Sequence, residues 1–437
     1  MRIERLGTGG EPAAVLRALA SQAAATGAPG PAALIGDWFG SGAVLVPSVT
    51  TRPVAPRRAF ALTRPPAAPI TTPTTAGRGD TPLIGGGWIG YRGYPDTPDS
   101  GRTAALPEAA GGWTDCVLRL DADGCWWYES LTGRPCPPAW STAVTRPRTR
   151  PRPWHLDWTA PDRDAHRSGV LACLDAIAAG EVYQACVCAR YTGTMDGESL
   201  DFFADATEAT RPARAAYLQG SWGAAASLSP ELFLARNGDR VTSSPIKGTL
   251  PIDTDPRRLR ASVKDVAENV MIVDLVRNDL GHLAVPGTVT VTDLLGVHPA
   301  PGVWHLVSTV AATVPSGTTT ADLFDAAFPP ASVTGCPKHR ARQLLSAWEP
   351  YPRGLYCGTV GFASPLAGTE LNVAIRTVEF APDGRAELGV GGGITIDSDP
   401  DAEWQECLDK ASSIVTLRPA GIPRYPEHSP RADLDSS

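Results

Sequence analysis

The sequence lacks several patterns that would assign it to a membrane, secreted or nucleic-acid-binding class. Its 437 residues contain no run approaching 18 apolar residues, and the first residues form no continuous apolar segment, so we expect neither membrane insertion nor export. Basic residues do not predominate either, because 39 Lys and Arg stand against 46 Asp and Glu, a net charge of -7. This balance argues against a nucleic acid or an anionic membrane as a partner.

Cysteine is present, but never in a C-x-x-C pair. The nine cysteines are an odd number at scattered positions. Such a set is typical of a reducing compartment, where disulfides do not persist. We therefore predict a cytoplasmic protein with free thiols, and its 43% content of hydrophobic residues is enough for a sizeable core.

Composition divides the chain into three segments. A linker with six prolines at 133–153 separates a first region, 1–150, from a longer one, 151–417. The tail at 418–437 is rich in proline and charge, and we expect it to be flexible.

The first region combines helix and strand signals but little chemistry. An Ala-rich stretch predicts a helix over 11–25, and Asp123-Gly124 predicts a hairpin turn. The glycine-rich run at 85–94 lacks the G-x-x-x-x-G-K-[ST] pattern of a phosphate-binding loop. We expect no phosphate binding there.

A stretch in the second region, from Ser229 to Gly281, carries three ionisable groups that need explanation: Glu231, Lys247 and Glu268. Glu231 opens a predicted strand, where a glutamate is by default a surface residue. A predicted hairpin separates Glu231 from Lys247, so both side chains can return to the same end of a sheet.

Glu268 belongs to a strongly apolar helix. Ser262 is the expected N-cap and Gly281 the expected residue after the last turn. Valines at near-helical spacing predict a core face: Val266, Val270, Val273 and Val276. A carboxylate among apolar residues loses hydration worth several kcal/mol unless it is paired or metal-bound. The alternative is a solvated or salt-bridged face.

Lys247 lies in a rigid turn. Pro245 fixes its own φ, and Gly248 allows a sharp turn or a close approach to a ligand. One explanation of this pattern is a solvent-exposed lysine in a turn, without a chemical role. A buried lysine near other cations, by contrast, can lose its proton and become a nucleophile.

Eight motifs follow one another along the chain: SPELFL, PIKGTLP, KDVAENVMIVDLVRNDLG, HLVSTV, SVTGCPK, YCGTVGF, AIRT and GGGITIDSDPDAEWQE. In this order they resemble the chorismate-utilising enzymes, and within them the aminodeoxychorismate synthase component I subfamily. The resemblance implies an α/β (α+β) fold, in which two antiparallel β-sheets pack as a sandwich with helices outside. It also implies a region like the N-terminal part of anthranilate synthase component I over 1–150, and a chorismate-binding catalytic domain over 151–417.

The resemblance implies a transaminase-class amination of chorismate with ammonia to 4-amino-4-deoxychorismate, for 4-aminobenzoate and folate or for a specialised metabolite. Lys247 is the implied nucleophile at C2, forming a covalent adduct, and His305 is implied to lie near the substrate ring. Glu231 is the implied acid, because the C4 hydroxyl leaves poorly unless it is protonated or polarised by a metal. The sequence shows no cysteine nucleophile elbow with a downstream His-x-Glu, so a separate glutamine amidotransferase subunit is expected to supply the ammonia.

Substrate contacts are also implied by the resemblance. Gln184 stands where water-adding relatives have a lysine base, and glutamine cannot serve as that base. Arg376 lies in an apolar predicted strand, where a substrate carboxylate or a structural salt bridge would satisfy its guanidinium. The substrate-binding residues implied are Gln184, Thr334, Gly335, Tyr356, Arg376, Gly391, Gly392, Gly393 and Lys410.

A closing helix supplies the remaining acids. Asp399 is its expected N-cap, and Glu403, Glu406 and Lys410 share one face. A surface Glu–Lys pair would explain this spacing without any ligand. The resemblance instead implies a magnesium site formed by Glu268 and Glu406, with Glu403 close by, and Mg²⁺ accepts a few carboxylates together with waters.

Three positions depart from the resembled pattern. Cys186 stands where an asparagine is usual, and Pro330 and Ala331 replace a glycine pair. Two alternative functions stay open: anthranilate synthase component I, which shares most motifs but has alanine at the position of Lys247, and a catalytically silent chorismate-binding homologue.

Overall fold

The computed structural model describes residues 1–62, 83–96, 103–149 and 151–419. Across these ranges the chain forms 22 strands, nine α-helices and two short 3-10 turns, Pro56–Arg58 and Ala331–Val333. The tail predicted over 418–437 lies outside the described residues, except for its first two positions.

Strands occur throughout the described chain. In order they are β1 Arg2–Thr8, β2 Ala32–Trp38, β3 Ser41–Val46, β4 Arg52–Pro53, β5 Gly87–Arg92, β6 Ala109–Thr114, β7 Cys116–Leu120, β8 Cys125–Ser130, β9 His155–Thr159, β10 Gln184–Asp196, β11 Arg214–Gly220, β12 Gly223–Ser229, β13 Leu232–Asn237, β14 Arg240–Ser244, β15 Ile246–Pro251, β16 Thr290–Ala300, β17 Val303–Thr313, β18 Gly335–Cys336, β19 Thr359–Ser364, β20 Gly368–Asn372, β21 Thr377–Phe380 and β22 Arg385–Ile394. The hairpin predicted at Asp123-Gly124 joins β7 to β8.

The helices separate groups of strands. They are α1 Pro12–Thr26, α2 Pro138–Thr145, α3 Arg163–Ala178, α4 Ser199–Thr210, α5 Arg257–Ala261, α6 Val263–Gly281, α7 Thr320–Ala327, α8 Lys338–Trp348 and α9 Pro400–Val415. The predicted N-caps are confirmed: the side chain of Ser262 accepts the N–H of Asp265, and Asp399 caps α9 in the same way. None of the helices in the described ranges has the length and apolarity needed to cross a membrane.

Two antiparallel sheets contain these strands. The twelve-stranded sheet has the order β1-β8-β7-β3-β2-β11-β12-β21-β22-β10-β18, with β9 paired to β10. The ten-stranded sheet has the order β15-β17-β14-β13-β20-β19-β5-β6-β4, with β16 paired to β17. Residues from both sheets meet in one buried cluster that includes Leu34 and Val44 from the first sheet and Ile89 and Phe362 from the second. The predicted sandwich is therefore confirmed, with α3 and α9 packed outside β10 and β22.

The segment at 133–153 is not the simple linker that its prolines predict. Residues Pro138–Thr145 form α2, whose Ala143 and Val144 are buried against α1. Proline at the first turn of a helix costs no hydrogen bond, so a proline-rich start is compatible with helix formation. The boundary at residue 150 stays a prediction, because the twelve-stranded sheet combines strands from both sides of it.

Helix α6 turns Glu268 toward the core, although its buried face differs from the predicted one. Glu268, Ile272 and Val276 are buried, at a spacing that keeps them on one side of the helix. Val270, predicted to lie in the core, has 45% of its surface exposed. The spacing of the valines predicted the wrong buried face, because Asn269 and Ile272 are buried on this helix and Val270 is not.

A buried ion pair supports the strand that forms one wall of the site described below. Arg353 donates two hydrogen bonds to the carboxylate of Glu349, at 2.8 and 2.6 Å. Its remaining N–H groups reach the carbonyls of Val333 and Cys186, at 2.8 and 2.6 Å. Glu349 in turn accepts the N–H of Cys188 at 3.1 Å. One guanidinium thus ties β10 to α8 and to the turn at Ala331–Val333.

We expect Arg353→Met to lower the free energy of unfolding by about 3–5 kcal/mol, because it leaves the buried Glu349 carboxylate without its counter-ion. Urea titration followed by tryptophan fluorescence measures the change. The control is Arg385→Met, which removes an exposed pair with Asp383 and should change stability far less. Equal losses in the two variants would contradict the supporting role of Arg353.

Candidate active site

The hairpin of β13 and β14 brings Glu231 and Lys247 to one end of the ten-stranded sheet. Leu232, the neighbour of Glu231, pairs with Ser244, and Lys247 follows three residues later in β15. This arrangement is the one that the hairpin prediction requires. Two ionisable side chains distant in sequence therefore lie within electrostatic reach of each other.

Gly248 allows α6 to approach Lys247 closely. Its φ of +88° favours glycine, and a Cβ at this position would lie 3.1 Å from the side chain of Asp265. The first turns of α6 consequently pack against β15. The Lys247 ammonium lies 3.9 Å from the Glu268 carboxylate, and only 12% of the lysine side chain is exposed. Lys247 is thus a partly buried lysine, not a solvated turn residue.

Glu231 is a buried acid with an altered proton affinity. Burial raises the pKa of Glu231 to about 7, although a hydrogen bond from Ser332 and the charge of Lys247 act in the opposite direction. A carboxyl group that titrates near neutrality can serve as a general acid. Glu231 can therefore carry a proton near pH 7 and donate it to a leaving group.

Ion pairs between lysines and glutamates occur within α6, within α9 and between these two helices. The Lys264 ammonium lies 3.2 Å from Glu403 and 4.0 Å from Glu268. On α9 the Lys410 ammonium lies 2.7 Å from the Glu406 carboxylate, as the i,i+4 spacing predicts. Burial raises the pKa of Glu268, while the charges of Lys247 and Lys264 act in the opposite direction.

One carboxylate oxygen of Glu403 is hydrogen-bonded, and the other is without a hydrogen-bond partner in the described residues. Its Oε1 accepts a hydrogen bond of 2.7 Å from Ser398, whereas its Oε2 has no hydrogen-bond partner in the described part of the chain. A Cβ added to Gly392 would lie 2.9 Å from this Oε2 and 3.8 Å from a carboxylate oxygen of Glu406. The glycine therefore leaves room for both carboxylates.

These acids do not form a closed metal cage. Within the described ranges, no group of three or more His, Cys, Asp or Glu side chains is arranged to hold a metal ion. Magnesium, however, needs only one or two protein carboxylates, because waters and a ligand oxygen complete its octahedron. The buried, unpartnered oxygen of Glu403 and the neighbouring carboxylates Glu268 and Glu406 fit such an open site.

Strands β10 and β22 form the wall opposite Lys247. A Cβ added to Gly393 would lie 2.1 Å from the Gln184 amide nitrogen and 3.2 Å from the Lys247 ammonium. Cys186 pairs with Gly393, and its thiol contacts that of Cys188. Gln184, Lys247 and Gly393 are thus brought together.

The glycine run also has a free backbone edge. Strand β21 pairs with β22 only as far as Leu388, so no strand of the described residues lies beside 389–394 on the side that faces away from β10. The Gly391 carbonyl points to this side, where it accepts a hydrogen bond of 2.8 Å from Lys410. Because strand residues alternate in direction, the N–H groups of Gly391 and Gly393 also face the free edge.

His305 lies beside β15, at a position two residues along the strand from Lys247. It pairs with Thr249 across β15 and β17, and the Thr249 hydroxyl lies 2.8 Å from its Nδ1. Burial lowers the pKa of His305 to about 4, assisted by the charge of Arg376. The imidazole is therefore neutral at pH 7 and acts as a hydrogen-bonding group.

Arg376 was predicted to lie within a strand, and this is wrong. It occupies the break between β20 and β21, with a φ of +50°. An apolar sequence predicts a continuous strand, whereas the backbone bends here and passes from one sheet to the other. Burial lowers the pKa of Arg376, and the charge of Glu231 opposes this change. Its guanidinium forms no salt bridge with the described part of the chain, which leaves it available to an anion.

Three other residues predicted to bind the substrate are Thr334, Gly335 and Tyr356. The Thr334 hydroxyl donates to the Pro330 carbonyl at 2.9 Å, and Gly335 pairs with Ala185 in β18. The ring of Tyr356 covers Gly389, four residues before Gly393, or about 13 Å along β22. The role of Tyr356 in substrate binding stays a prediction.

Three residues near the site were not predicted. Lys264 bridges two acids, Ser332 bonds Glu231, and Thr249 bonds His305. The i,i+4 spacing of Lys264 and Glu268 was the available signal. Ser332 and Thr249 lie inside recognised motifs, but nothing in their spacing singles them out.

A model of the chorismate binding enzyme family matches residues 61–416. Aminodeoxychorismate synthase component 1 of Salmonella typhimurium is 36% identical over 357 residues, which cover 77% of this chain and 77% of that protein. The protein of the same name from Escherichia coli is 41% identical over 243 residues, 54% of this chain and 53% of that protein.

The same architecture occurs in a solved structure of the menaquinone-specific isochorismate synthase MenF from Escherichia coli. It superposes with a TM-score of 0.66 at 18% identity, over 95% of this chain and 94% of that one. At this identity the likeness concerns the fold alone. Sequence, fold and the match over residues 61–416 lead to one conclusion: this chain belongs to the chorismate binding enzyme family.

Proposed function

We propose that this protein aminates chorismate with ammonia to give 4-amino-4-deoxychorismate, in a transaminase-class reaction. The observation that carries the proposal is Lys247, a largely buried lysine beside Gln184 and Gly393 and 3.9 Å from Glu268. Relatives named aminodeoxychorismate synthase component 1 support the same reaction.

Lys247 and Glu231 divide the chemistry. The uncharged amine of Lys247 attacks C2, the ring double bonds shift, and the C4 hydroxyl leaves as water with a proton from Glu231. Ammonia then attacks C4, the double bonds shift back, and the Lys247 amine leaves C2. The sum is chorismate plus ammonia giving 4-amino-4-deoxychorismate plus water.

The surrounding residues bind and orient the substrate in this proposal. Arg376 and the free N–H groups of Gly391 and Gly393 are suited to a carboxylate, and neutral His305 can hydrogen-bond near the ring. Gln184 can hydrogen-bond but cannot act as a base. The roles of Thr334, Gly335 and Tyr356 in binding remain proposals that rest on the motifs.

Magnesium is the proposed cofactor, held by Glu268 and Glu406 with Glu403 beside them. When bound, it would neutralise negative charge on a substrate carboxylate. The proposed partner is a separate glutamine amidotransferase subunit, which the component 1 names of the relatives support. Nine free cysteines are compatible with the proposed cytoplasmic location.

Lys247→Ala should abolish the covalent adduct and lower 4-amination with ammonium salt by about 1,000-fold or more, as loss of a nucleophile commonly does. Intact-protein mass after quenching measures the adduct, and mass spectrometry identifies the product. Release of 2-aminobenzoate by the parent protein would favour the alternative, an anthranilate synthase.

Lys247→Arg is the matched variant, because it keeps the positive charge but removes a usable nucleophile. We expect it to be as inactive as Lys247→Ala. If either variant made 4-amino-4-deoxychorismate at the parent rate, the covalent mechanism would be ruled out.

Glu406→Gln keeps the size of the side chain and removes its charge. Chorismate binding should then lose its dependence on Mg²⁺, and turnover should fall severely, because a carboxylate ligand is lost. Calorimetric titration of chorismate with and without MgCl₂ measures the dependence. Asp401→Asn, an exposed acid on the same helix, should keep it. Unchanged magnesium dependence in Glu406→Gln would remove Glu406 from the site.

The proposed role of Glu231 predicts a pH dependence. The acid must carry its proton, and its pKa is about 7, so the active fraction falls as pH rises above 7. The kcat/KM profile should show this falling limb, and Glu231→Gln should lose the limb together with about 100-fold or more of the rate. Burial also raises the pKa of Glu379, to about 8, yet Glu379→Gln should keep the limb. A limb that survives in Glu231→Gln would exclude Glu231 as the acid.

A further inference from the structure

Lys264 is a cation at the carboxylates that no step of the proposed reaction uses. Its ammonium lies 3.2 Å from Glu403 and 4.0 Å from Glu268, two of the acids that would hold a divalent cation. The Lys264 side chain is 46% exposed, whereas those of Glu403 and Glu268 are 3% and 11% exposed. A solvent-exposed ammonium group therefore reaches into a buried acidic pair.

The acids are electrically balanced by lysines. Glu268, Glu403 and Glu406 carry three negative charges, and each lies within 4.0 Å of a lysine ammonium. A divalent cation would add two positive charges to carboxylates that already have counter-ions. In a partly buried site such an excess is poorly screened, so one lysine must withdraw for the cation to bind well.

Among the three lysines, Lys264 is the one able to withdraw. Lys247 is enclosed, with 12% of its side chain exposed, and Lys410 is also bonded to the Gly391 carbonyl. Lys264 is the second residue of α6, next to Val263, which is 85% exposed. A cation at a helix N-terminus is disfavoured by the helix dipole, so the two carboxylates, not the helix, hold Lys264 in place.

We propose that Lys264 is an internal counter-cation that competes with a divalent metal ion for Glu268 and Glu403 and swings into solvent when the ion binds. This inference rests on the proposed magnesium site. It makes Lys264 a positioning residue, because it acts on the carboxylates and not on the substrate.

Lys264→Met keeps the length of the side chain and removes the competing charge. Titration of the full chain with MgCl₂ alone, without chorismate, should give a dissociation constant about two- to fivefold lower than that of the parent, the equivalent of one partly exposed ion pair. Lys264→Arg, which retains the charge, should bind MgCl₂ as the parent does. An equal or higher dissociation constant for Lys264→Met would overturn the inference.

Arg277→Met is the matched control for the loss of one positive charge. Arg277 belongs to the same helix, but its partner is Asp274 on the exposed face, about 20 Å from Lys264 along α6. Its substitution should leave magnesium affinity unchanged. If it tightened binding as much as Lys264→Met, overall charge and not competition would be responsible, and the inference would fail.

Release of Lys264 can also be observed directly in the parent protein. Acylation of amines, read by peptide mass spectrometry, should become faster at Lys264 when MgCl₂ is added and stay constant at the α-amine of Met1. Unchanged or slower acylation of Lys264 would overturn the inference. Failure of both magnesium measurements would leave the amination test on Lys247 unaffected, so the two proposals can fail separately.

Discussion

The site depends on one electrostatic constraint: the negative charges of several partly buried carboxylates must be compensated. Three glutamates from two helices lie together, and each is stabilised by a lysine from a different part of the chain. Without those lysines, the desolvation of the carboxylates would oppose the approach of α6 and α9, which the Lys264–Glu403 ion pair connects. The same ion pairs fix β15, α6 and α9 relative to one another. Electrostatic compensation by lysines thus stabilises the site.

Local signals in the sequence predicted local structure well. The caps at Ser262 and Asp399, the hairpin at Asp123-Gly124 and the hairpin between Glu231 and Lys247 each depend on a few neighbouring residues. The errors have a common physical origin. Helix α2 and the break at Arg376 are determined by contacts with distant elements, which override a proline-rich composition in one case and an apolar run in the other.

The residues of the site could be named from the motifs, but their arrangement could not. Spacing along one helix predicted the Glu406–Lys410 pair. It could not predict that Lys264 reaches a glutamate on another helix, nor that Tyr356 lies some way along β22 from Gly393, because both depend on the packing of non-adjacent elements. The order of strands within the two sheets is likewise a non-local property; the family resemblance supplied the two-sheet sandwich but not this order.

The free edge of β22 has a consequence for altering the enzyme's selectivity. Main-chain amides at Gly391 and Gly393 are identical whatever the sequence, so a contact made through them offers no side chain to redesign. A larger residue at Gly393 would collide with Gln184 and Lys247. A change in which acid the proposed site accepts would therefore be sought at Gln184, Cys186 and Arg376, with the glycine strand left unaltered.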